Sequence, residues 1–282
     1  DFVQRSFSMN EVSSALTGLS HRWIIKSFIP IGMFLLFLAG VSLLLKNLSS
    51  KVIGLSLKPE TPISLYEEAK ISNIIDKSFI NDIRDFQVLR DVTEDTQPDI
   101  IFHMAAQPLV RKSYEIPIDT WNTTVIGTLH LLESLRSIKT KCAVIIITTD
   151  KVYQNKEWTY GYRENDRLGG KDPYSSSKAA AELVVESWRN SYCGNLKHQF
   201  SNIGIASVRA GNVIGGGDWA IDRLIPDIFR AKYQKNTINI RNPYSKRPWQ
   251  HVLDPLFGYM TLAKKLYQEE DIYSSSFCSS FN

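Results

Sequence analysis

Short apolar runs alternate with helical periodicities between residues 51 and 209. The runs predict four strands, which are Lys51–Leu57, Asp99–Ala106, Ala143–Asp150 and Ile203–Arg209. The segments between them predict helices at Leu65–Ile75, Phe86–Thr93 and Thr120–Ile138, and from Tyr174 onwards. Ala143–Asp150 lacks polar alternation, as expected for a parallel strand covered on both faces. We therefore predict an α/β fold with a doubly wound parallel sheet, whose ligands bind beyond the carboxyl ends of the strands.

The pattern changes after Arg209. Asn212–Trp219 is a glycine-rich loop, and a helix at Leu224–Lys232 and a strand at Asn236–Ile240 are predicted to follow it. We place a domain boundary near residue 210. Residues 46–209 then form the main domain, and residues 210–282 form a smaller, truncated part that faces the substrate.

The first 45 residues do not fit this alternation. Phe28–Leu45 is uncharged and lies between Lys26 and Lys46, and roughly 20 apolar residues suffice to span a bilayer. Its proline and glycines make it a poor membrane segment, and the basic residues on both sides leave an orientation unspecified. A membrane association is therefore not favoured, although the sequence does not exclude it.

Composition and charge narrow the function only slightly. The 282 residues are 43% hydrophobic and 22% charged, which is typical of a globular protein. A formal net charge of +4 is small for this length and does not indicate nucleic-acid binding. Cys142, Cys193 and Cys278 lack the paired spacing of metal sites. We predict no metal centre, and sparse thiols are typical of a reducing cytoplasm.

Tyr174 and Lys178 lie four residues apart at the start of a predicted helix, between Pro173 and a run of alanines. This spacing places a phenol and an ammonium on one helical face. A tyrosine with an ordinary pKa of about 10 acts as a base at neutral pH only if a nearby cation favours the phenolate. The pair is a candidate base with its activating cation, although any exposed helix start could carry the same spacing.

A second candidate site follows the most apolar strand, at Thr148-Thr149-Asp150-Lys151. Threonine and aspartate also cap turns after strands, so this motif alone is ambiguous. Its position at a carboxyl end, together with Tyr174 and Lys178, favours a functional role.

Several blocks recur in the order of a known family. They are Thr-Thr-Asp at 148–150, Tyr-Ser-Ser-Ser-Lys at 174–178 and Arg-Pro-Trp-Gln-His-Val at 247–252, with longer blocks at 103–117, 161–166, 209–219 and 223–227. From about Ser42 to Tyr267 the chain resembles the extended short-chain dehydrogenase/reductase family. Within that family it is most similar to the nucleotide-sugar 4,6-dehydratases that act on CDP-glucose.

The resemblance implies a Rossmann-type domain that binds NAD, and a lyase reaction on CDP-glucose. The C4 hydroxyl of the sugar is oxidised, water is eliminated across C5 and C6, and the hydride returns to C6. Tyr174 would be the base at C4, with Lys178 lowering its pKa and binding the nicotinamide ribose, and Thr149 would bind the same hydroxyl. Protonated Asp150 would donate to the leaving hydroxide. Lys151 would remove the C5 proton, which requires a lowered lysine pKa.

The resemblance also assigns binding residues. Asp82 and Ile83 would contact the adenine, and the diphosphate and nicotinamide ribose would meet Ala105, Ala106 and Gln107. Substrate binding would fall to Asn212, Arg223 and Arg247. No acidic residue ends the Lys51–Leu57 strand, so the choice of NAD over NADP rests on the resemblance alone. It further implies a cytoplasmic homo-oligomer that serves 3,6-dideoxyhexose synthesis for surface polysaccharide.

The chain departs from the family at its start. The family opens with Thr-Gly-x-x-Gly-x-x-Gly, which binds the pyrophosphate, whereas only Thr17-Gly18 resembles that motif here. Residues 1–45 could reflect a shifted reading frame, a membrane anchor or a divergent cofactor loop. Thr124 occupies a position where the family has asparagine. Two alternatives therefore stay open, a non-catalytic or frame-shifted relic and a related NAD-dependent epimerase, although an epimerase does not need Asp150 and Lys151.

Overall fold

A computed structural model describes residues 50–59, 64–193, 202–238, 240, 242–268 and 275–278. The chain divides into two compact units, Asp1–Val52 and Ile53–Asn282. Only residues 50–52 of the first unit are described, and they have no regular structure. The predictions on residues 1–45 therefore lie outside the described residues. The predicted boundary near residue 210 falls inside the second unit and stays a prediction.

The described strands pair in parallel, as the alternating pattern predicts. They form three groups, a pair β1–β2, a four-stranded sheet in the order β3-β4-β5-β8, and a pair β6–β7. The strands are β1 (Ile53–Ser56), β2 (Lys77–Ile80), β3 (Ile100–His103), β4 (Cys142–Ile147), β5 (Ile203–Arg209), β6 (Asn212–Ile214), β7 (Trp249–His251) and β8 (Ser276–Cys278).

Helices connect these strands. They are α1 (Leu65–Glu68), α2 (Phe86–Thr96), α3 (Val110–Glu115), α4 (Pro117–Trp121), α5 (Gly127–Ser134), α6 (Pro173–Tyr192), α7 (Leu224–Tyr233) and α8 (Leu253–Gln268). A π-helical segment, Asn122–Ile126, joins α4 to α5, and 3-10 turns lie at Ile71–Asn73, Leu135–Ser137 and Asp150–Val152. No helix in the described ranges combines the length and apolarity that a membrane crossing requires.

Strand β4 has buried side chains on both faces of the sheet. Val144 and Ile146 belong to a core cluster that includes residues of α5 and α6. Ala143 and Ile145 belong to a second cluster, which α8 covers with Tyr259, Ala263 and Leu266. The covering of both faces explains the continuous apolar run. It confirms the predicted doubly wound parallel sheet.

Two cysteines of the described residues lie in the core. Cys142 begins β4 and Cys193 follows α6, and both belong to the cluster on the α5 and α6 side of the sheet. Each cysteine therefore acts as a small apolar core residue.

Two predicted helices are wrong in their continuity. Leu65–Ile75 breaks after α1, where Lys70 takes a left-handed backbone conformation with φ 48°. Thr120–Ile138 divides into α4, the π segment, α5 and a 3-10 turn. Gly127 begins α5 against Ile83, and a Cβ there would lie 2.5 Å from Ile83 Cδ1.

The strands after residue 209 also differ from the prediction. The described residues between 236 and 240 form no strand, since none of them pairs with another segment. Asn212–Ile214, predicted as part of a loop, instead forms β6 and pairs with β7. The pairing of β8 with β5 joins residues far apart in sequence, and local periodicity carries no signal of it.

Candidate active site

Thr149, Asp150 and Lys151 lie in the turn that follows β4. The backbone of this turn still pairs with the extension of β5, because Asp150 N donates to Ala210 O at 2.9 Å. Thr149 is the N-cap of the 3-10 turn Asp150–Val152. Its Oγ1 donates to Asp150 Oδ1 at 3.1 Å and accepts from Lys151 N at 3.4 Å. The capping role that threonine has in such turns therefore coexists with the predicted catalytic position.

Helix α6 presents Tyr174 and Lys178 on adjacent turns. Asp172 caps the helix through a reciprocal pair of hydrogen bonds, in which Ser175 N donates to Asp172 Oδ1 at 2.9 Å and Asp172 N donates to Ser175 Oγ at 3.2 Å. Pro173 occupies the first turn, where its missing N–H costs nothing. The cap determines where the helix begins and hence where Tyr174 lies.

The Lys178 ammonium is buried at the carboxyl end of β4. Its Nζ donates to the carbonyl oxygen of Ile147, the last residue of β4, at 3.1 Å. Burial lowers the pKa of Lys178 to about 8, and the Glu182 carboxylate one turn further along α6 opposes this shift. At neutral pH Lys178 therefore carries its charge.

Tyr174 does not have the depressed pKa that the sequence predicts. Burial raises the pKa of Tyr174, the Thr149 hydroxyl opposes this, and the Asp150 carboxylate adds to it. The Lys178 ammonium donates to the Ile147 carbonyl, and its predicted role in activating the phenol stays a prediction.

Asp150 and Lys151 lie close to Tyr174. Burial raises the pKa of Asp150, although the Thr149 hydroxyl and the charges of Lys151 and Arg247 act in the opposite direction. A raised pKa favours the protonated form, which is the form that an acid catalyst needs. Lys151 Nζ lies 5.8 Å from the centre of the Tyr174 ring. The turn and the helix therefore bring an acid, an amine and a phenol together.

Two residues predicted at the adenine follow β2. The carboxylate of Asp82 is bound by Arg84, whose Nη2 lies 2.7 Å from Asp82 Oδ2. Ile83 is buried against Gly127. Asp82 is thus held in place by a residue of its own loop, and the Ile83 side chain packs in the core.

Ala105, Ala106 and Gln107 follow β3 at its carboxyl end. The side-chain amide of Gln107 is fully engaged, because Nε2 donates to Leu109 O and Thr120 Oγ1, each at 3.0 Å, and Oε1 accepts from Leu109 N at 2.6 Å. Gln107 therefore stabilises the loop after β3. The groups of this loop that are left to contact a ligand are its backbone groups and the side chains of Ala105 and Ala106.

The predicted substrate residues lie on the β6–β7 side. Asn212 begins β6, where its N–H donates to Pro248 O at 3.2 Å. Arg223 precedes α7, and its Nη1 lies 2.6 Å from Asp218 Oδ2. Burial raises the pKa of Asp150 and of Tyr174, and the charges of Arg247 and Arg223 respectively oppose these two shifts. The two guanidinium groups therefore act on the same site.

His103 is a core histidine, as its position at the end of a strand predicts. Its Nε2 lies 3.0 Å from Thr128 Oγ1. Burial, aided by the Lys178 charge, lowers the pKa of His103 to about 3, so the ring is neutral. Within the described ranges no group of three or more His, Cys, Asp or Glu side chains could hold a metal ion.

The sequence patterns assign no role to three residues around the site, which are Glu182, Arg209 and Thr124. Glu182 and Arg209 form a buried ion pair behind the turn that carries Thr149, Asp150 and Lys151. The spacing of Glu182, four residues after Lys178, was the available signal. Thr124 Oγ1, in the π segment, is buried without a hydrogen-bond partner among the described residues. π-helical segments occur frequently at functional sites.

Comparison with known proteins identifies the family of this chain. The family model described as GDP-mannose 4,6-dehydratase matches residues 45–275. The CDP-glucose 4,6-dehydratase of Salmonella typhimurium is 52% identical over 229 residues, which are 81% of this chain and 64% of that protein. The chain thus spans less than two thirds of this relative.

Two solved structures have the same fold. One is a dTDP-glucose 4,6-dehydratase from Streptomyces venezuelae with NAD bound, with TM-score 0.67 and 22% identity over 81% of this chain and 65% of the other. The other is a UDP-glucuronic acid 4-epimerase from Bacillus cereus in complex with UDP-glucuronic acid and NAD, with TM-score 0.69 and 20% identity over 86% of this chain and 73% of the other. On the family match, this chain belongs to the family described as GDP-mannose 4,6-dehydratase.

Proposed function

We propose that this chain is a CDP-glucose 4,6-dehydratase, which converts CDP-D-glucose to CDP-4-dehydro-6-deoxy-D-glucose with loss of water. The observation that carries the proposal is the convergence of Thr149, Asp150, Lys151, Tyr174 and Lys178 at the carboxyl end of β4. The Salmonella protein of that name, at 52% identity, supports the choice of nucleotide.

The proposed roles follow from the chemistry of each side chain. Tyr174 removes the proton of the C4 hydroxyl, Thr149 orients that hydroxyl, and the Lys178 ammonium favours the phenolate once ligands fill the site. Asp150, whose pKa burial raises, holds a proton for the departing C6 hydroxide. Lys151 accepts the proton from C5.

Part of the chain fits a bound NAD. The buried Thr124 hydroxyl, which has no hydrogen-bond partner in the described part of the chain, lies in the π segment that packs against α6, the helix of Tyr174 and Lys178. These groups would hold the nicotinamide half, and the loops after β2 and β3, with Asp82, would hold the rest. When bound, NAD+ supplies the acceptor for the C4 hydride and its later donor. The glycine-rich cradle for the pyrophosphate is missing from the sequence.

The acid and the amine in the turn after β4 favour a dehydratase over an epimerase. An epimerase inverts C4 by oxidation and reduction at one carbon, and it needs no proton donor at C6 or base at C5. Asp150 and Lys151 lie beside Tyr174 and supply those two functions. Arg223 and Arg247 offer planar donors for the two phosphates, with Asn212 nearby on β6.

The test is incubation of the purified chain with CDP-glucose and NAD+. We expect a 4-keto-6-deoxy sugar nucleotide, seen by its alkaline ultraviolet absorbance and by NMR, and no product from the Tyr174→Phe variant. UDP-, dTDP- and GDP-glucose in parallel reactions test the choice of nucleotide. Formation of a C4 epimer, or absence of product from folded protein, would contradict the proposal.

We also propose that the chain acts in the cytoplasm as a homo-oligomer. The sequence holds three cysteines, an odd and sparse set that suits a reducing compartment. The exposed apolar side chains on helices α3, α4 and α6 suit a contact between copies.

A further inference from the structure

Glu182 and Arg209 form a fully buried ion pair behind the candidate catalytic residues. Arg209 ends β5, and Glu182 lies one turn after Lys178 in α6. Arg209 Nε and Nη2 donate to Glu182 Oε1 and Oε2, each at 3.1 Å. The two side chains are only 3% and 2% exposed. The fork geometry uses both carboxylate oxygens and fixes the relative orientation of strand and helix.

The Glu182 carboxylate also accepts from two hydroxyl groups on the sheet. Thr148 Oγ1 donates to Oε1, and Ser207 Oγ donates to Oε2 at 2.9 Å. Thr148 immediately precedes the catalytic turn, and Ser207 lies in β5. Glu182 thus connects α6 to β5 and to the residue that follows β4, one helical turn after Lys178.

Arg209 holds the other end of the catalytic turn. Its Nη1 donates to the Tyr153 hydroxyl at 3.0 Å and to Glu164 O at 2.7 Å, and its guanidinium lies 4.9 Å from the centre of the Tyr153 ring. Tyr153 is two residues after Lys151. The segment from Thr148 to Tyr153 is therefore attached at both ends to one ion pair.

We propose that Glu182 and Arg209 are positioning residues, which hold Thr149, Asp150 and Lys151 at the correct distance from Tyr174 and Lys178. The inference rests on the proposed dehydratase function. A buried ion pair is weak evidence for stability, because apolar residues of similar volume are often as stable. This pair, however, joins the two chain segments that carry all five predicted catalytic side chains. Misplacement of reacting groups by about 1 Å costs roughly 10²-fold in rate.

The decisive variant is the double substitution Glu182→Leu/Arg209→Met. It removes both charges together, so that neither is left buried and unpaired, and the fold is expected to persist. The hydrogen bonds to Thr148, Ser207 and Tyr153 are lost. We expect the variant to stay folded with a lowered Tm, because Ser207 and Tyr153 each lose a buried hydrogen bond. We expect kcat to fall by about 10²-fold, with KM for CDP-glucose within about threefold of the wild-type value.

Two further variants separate positioning from charge and from general damage. Arg209→Lys keeps the charge but lacks the fork that reaches Glu182 and Tyr153 together, so we expect a similar loss of kcat. Glu186→Gln is the matched control, because Glu186 lies one further turn along α6 and is exposed. We expect Glu186→Gln to leave kcat and Tm unchanged. Wild-type kcat in the double variant, or a loss of kcat that follows Tm across the series, would overturn the inference.

A second measurement does not require turnover. The wild type, the double variant, Thr148→Val and Glu186→Gln are labelled with ¹³Cζ-tyrosine, and the Tyr174 resonance is assigned with Tyr174→Phe. We expect the Tyr174 signal to shift in the double variant and in Thr148→Val, but not in Glu186→Gln. An unchanged signal in the first two overturns positioning. Absence of wild-type product with these shifts present overturns only the proposed function.

Discussion

Lys178 is expected to limit activity on the alkaline side. Burial gives this ammonium a pKa of about 8, so it is charged below that pH and loses its proton as pH rises through it. Its titratable neighbours are neutral His103 on β3 and Glu182, which is paired with Arg209 on β5. We expect kcat/KM for CDP-glucose, which reports ionisations of the free enzyme, to decline as pH rises through about 8, because the neutral amine no longer favours the Tyr174 phenolate.

The pH profile of kcat/KM for CDP-glucose measures this decline. Lys178→Arg is the comparison, because a guanidinium stays charged throughout the accessible range. The variant is expected to be slower, but without the alkaline limb near pH 8. The same limb in both proteins would assign the titration to another group.

Removal of the Lys151 amine should stop elimination. We expect Lys151→Met, which keeps the length and apolar stem of the side chain, to lower the rate of product formation by about 10²- to 10⁴-fold, the usual range for a general acid or base. The rate is measured by the alkaline absorbance assay. Lys171→Met changes an exposed lysine before the cap of α6 and should leave the rate unaltered. An active Lys151→Met variant would contradict the assignment.

Some features of single residues are readable in the sequence and others are not. The spacing of Tyr174 and Lys178 indicates their common helix face, which the structure shows. The raised pKa of Tyr174 depends on burial and on Asp150, neither of which spacing reveals. The partnership of Glu182 with Arg209 joins α6 to β5 across 27 positions, and only the folded chain brings them together.

The start of α6 depends on a close approach at the element scale. A Cβ on Gly170 would lie 2.3 Å from Ser175 C and 2.4 Å from Ser176 N. These are backbone atoms of the first helical turn, and they cannot move without moving Tyr174. We expect Gly170→Ala to destabilise the protein by at least the 1–3 kcal/mol that is typical of overpacking, and to lower kcat.

Gly258→Ala is the control for this substitution. Gly258 lies within α8, and a Cβ there would meet nothing within 4 Å. Alanine is favoured over glycine in a helix by about 1 kcal/mol, so a neutral or stabilising effect is expected. Chemical denaturation gives both free energies of unfolding. Equal effects of the two substitutions would show that the contacts of Gly170 are not decisive.

Elements that depend on local sequence are the ones predicted best. Pro173 and the alanine run locate α6, and the unbroken apolar run locates β4. The division of Thr120–Ile138 could not be predicted from periodicity. Apolar residues recur at helical spacing through the whole segment, although part of its backbone is π-helical. Strands β6 and β8 form by pairing with segments that are distant in sequence. A propensity for extended structure is not enough to form a strand, because the described residues between 236 and 240 are predicted as one and form none.

Oligomerisation is the property of the whole molecule that the surface predicts. Helices α3 and α4 pack against α6. The side chains of Tyr114, Ile118, Trp121 and Leu183 on these helices are 65%, 75%, 40% and 57% exposed. We expect the wild type to form at least a dimer of the 32.1 kDa chain, and the Ile118→Glu/Leu183→Glu variant to be monomeric.

Light scattering coupled to gel filtration measures the mass directly. Tyr244→Glu alters another exposed apolar residue, 91% accessible, outside these helices, and should leave the mass unchanged. A monomeric wild type would contradict the predicted oligomer, and loss of the oligomer in the Tyr244→Glu control alone would place the contact outside these helices.

The pairing of β8 with β5 has a consequence for how the chain is made. Ser207, Val208 and Arg209 pair with Ser276, Phe277 and Cys278, so one edge of β5 stays open until residue 276 has left the ribosome. Parallel strands that are so far apart in sequence pair slowly during folding. Until they pair, the unpaired strand edge is a site at which other chains associate. Yield in a heterologous host should therefore depend on growth temperature and chaperone supply more than on codon choice.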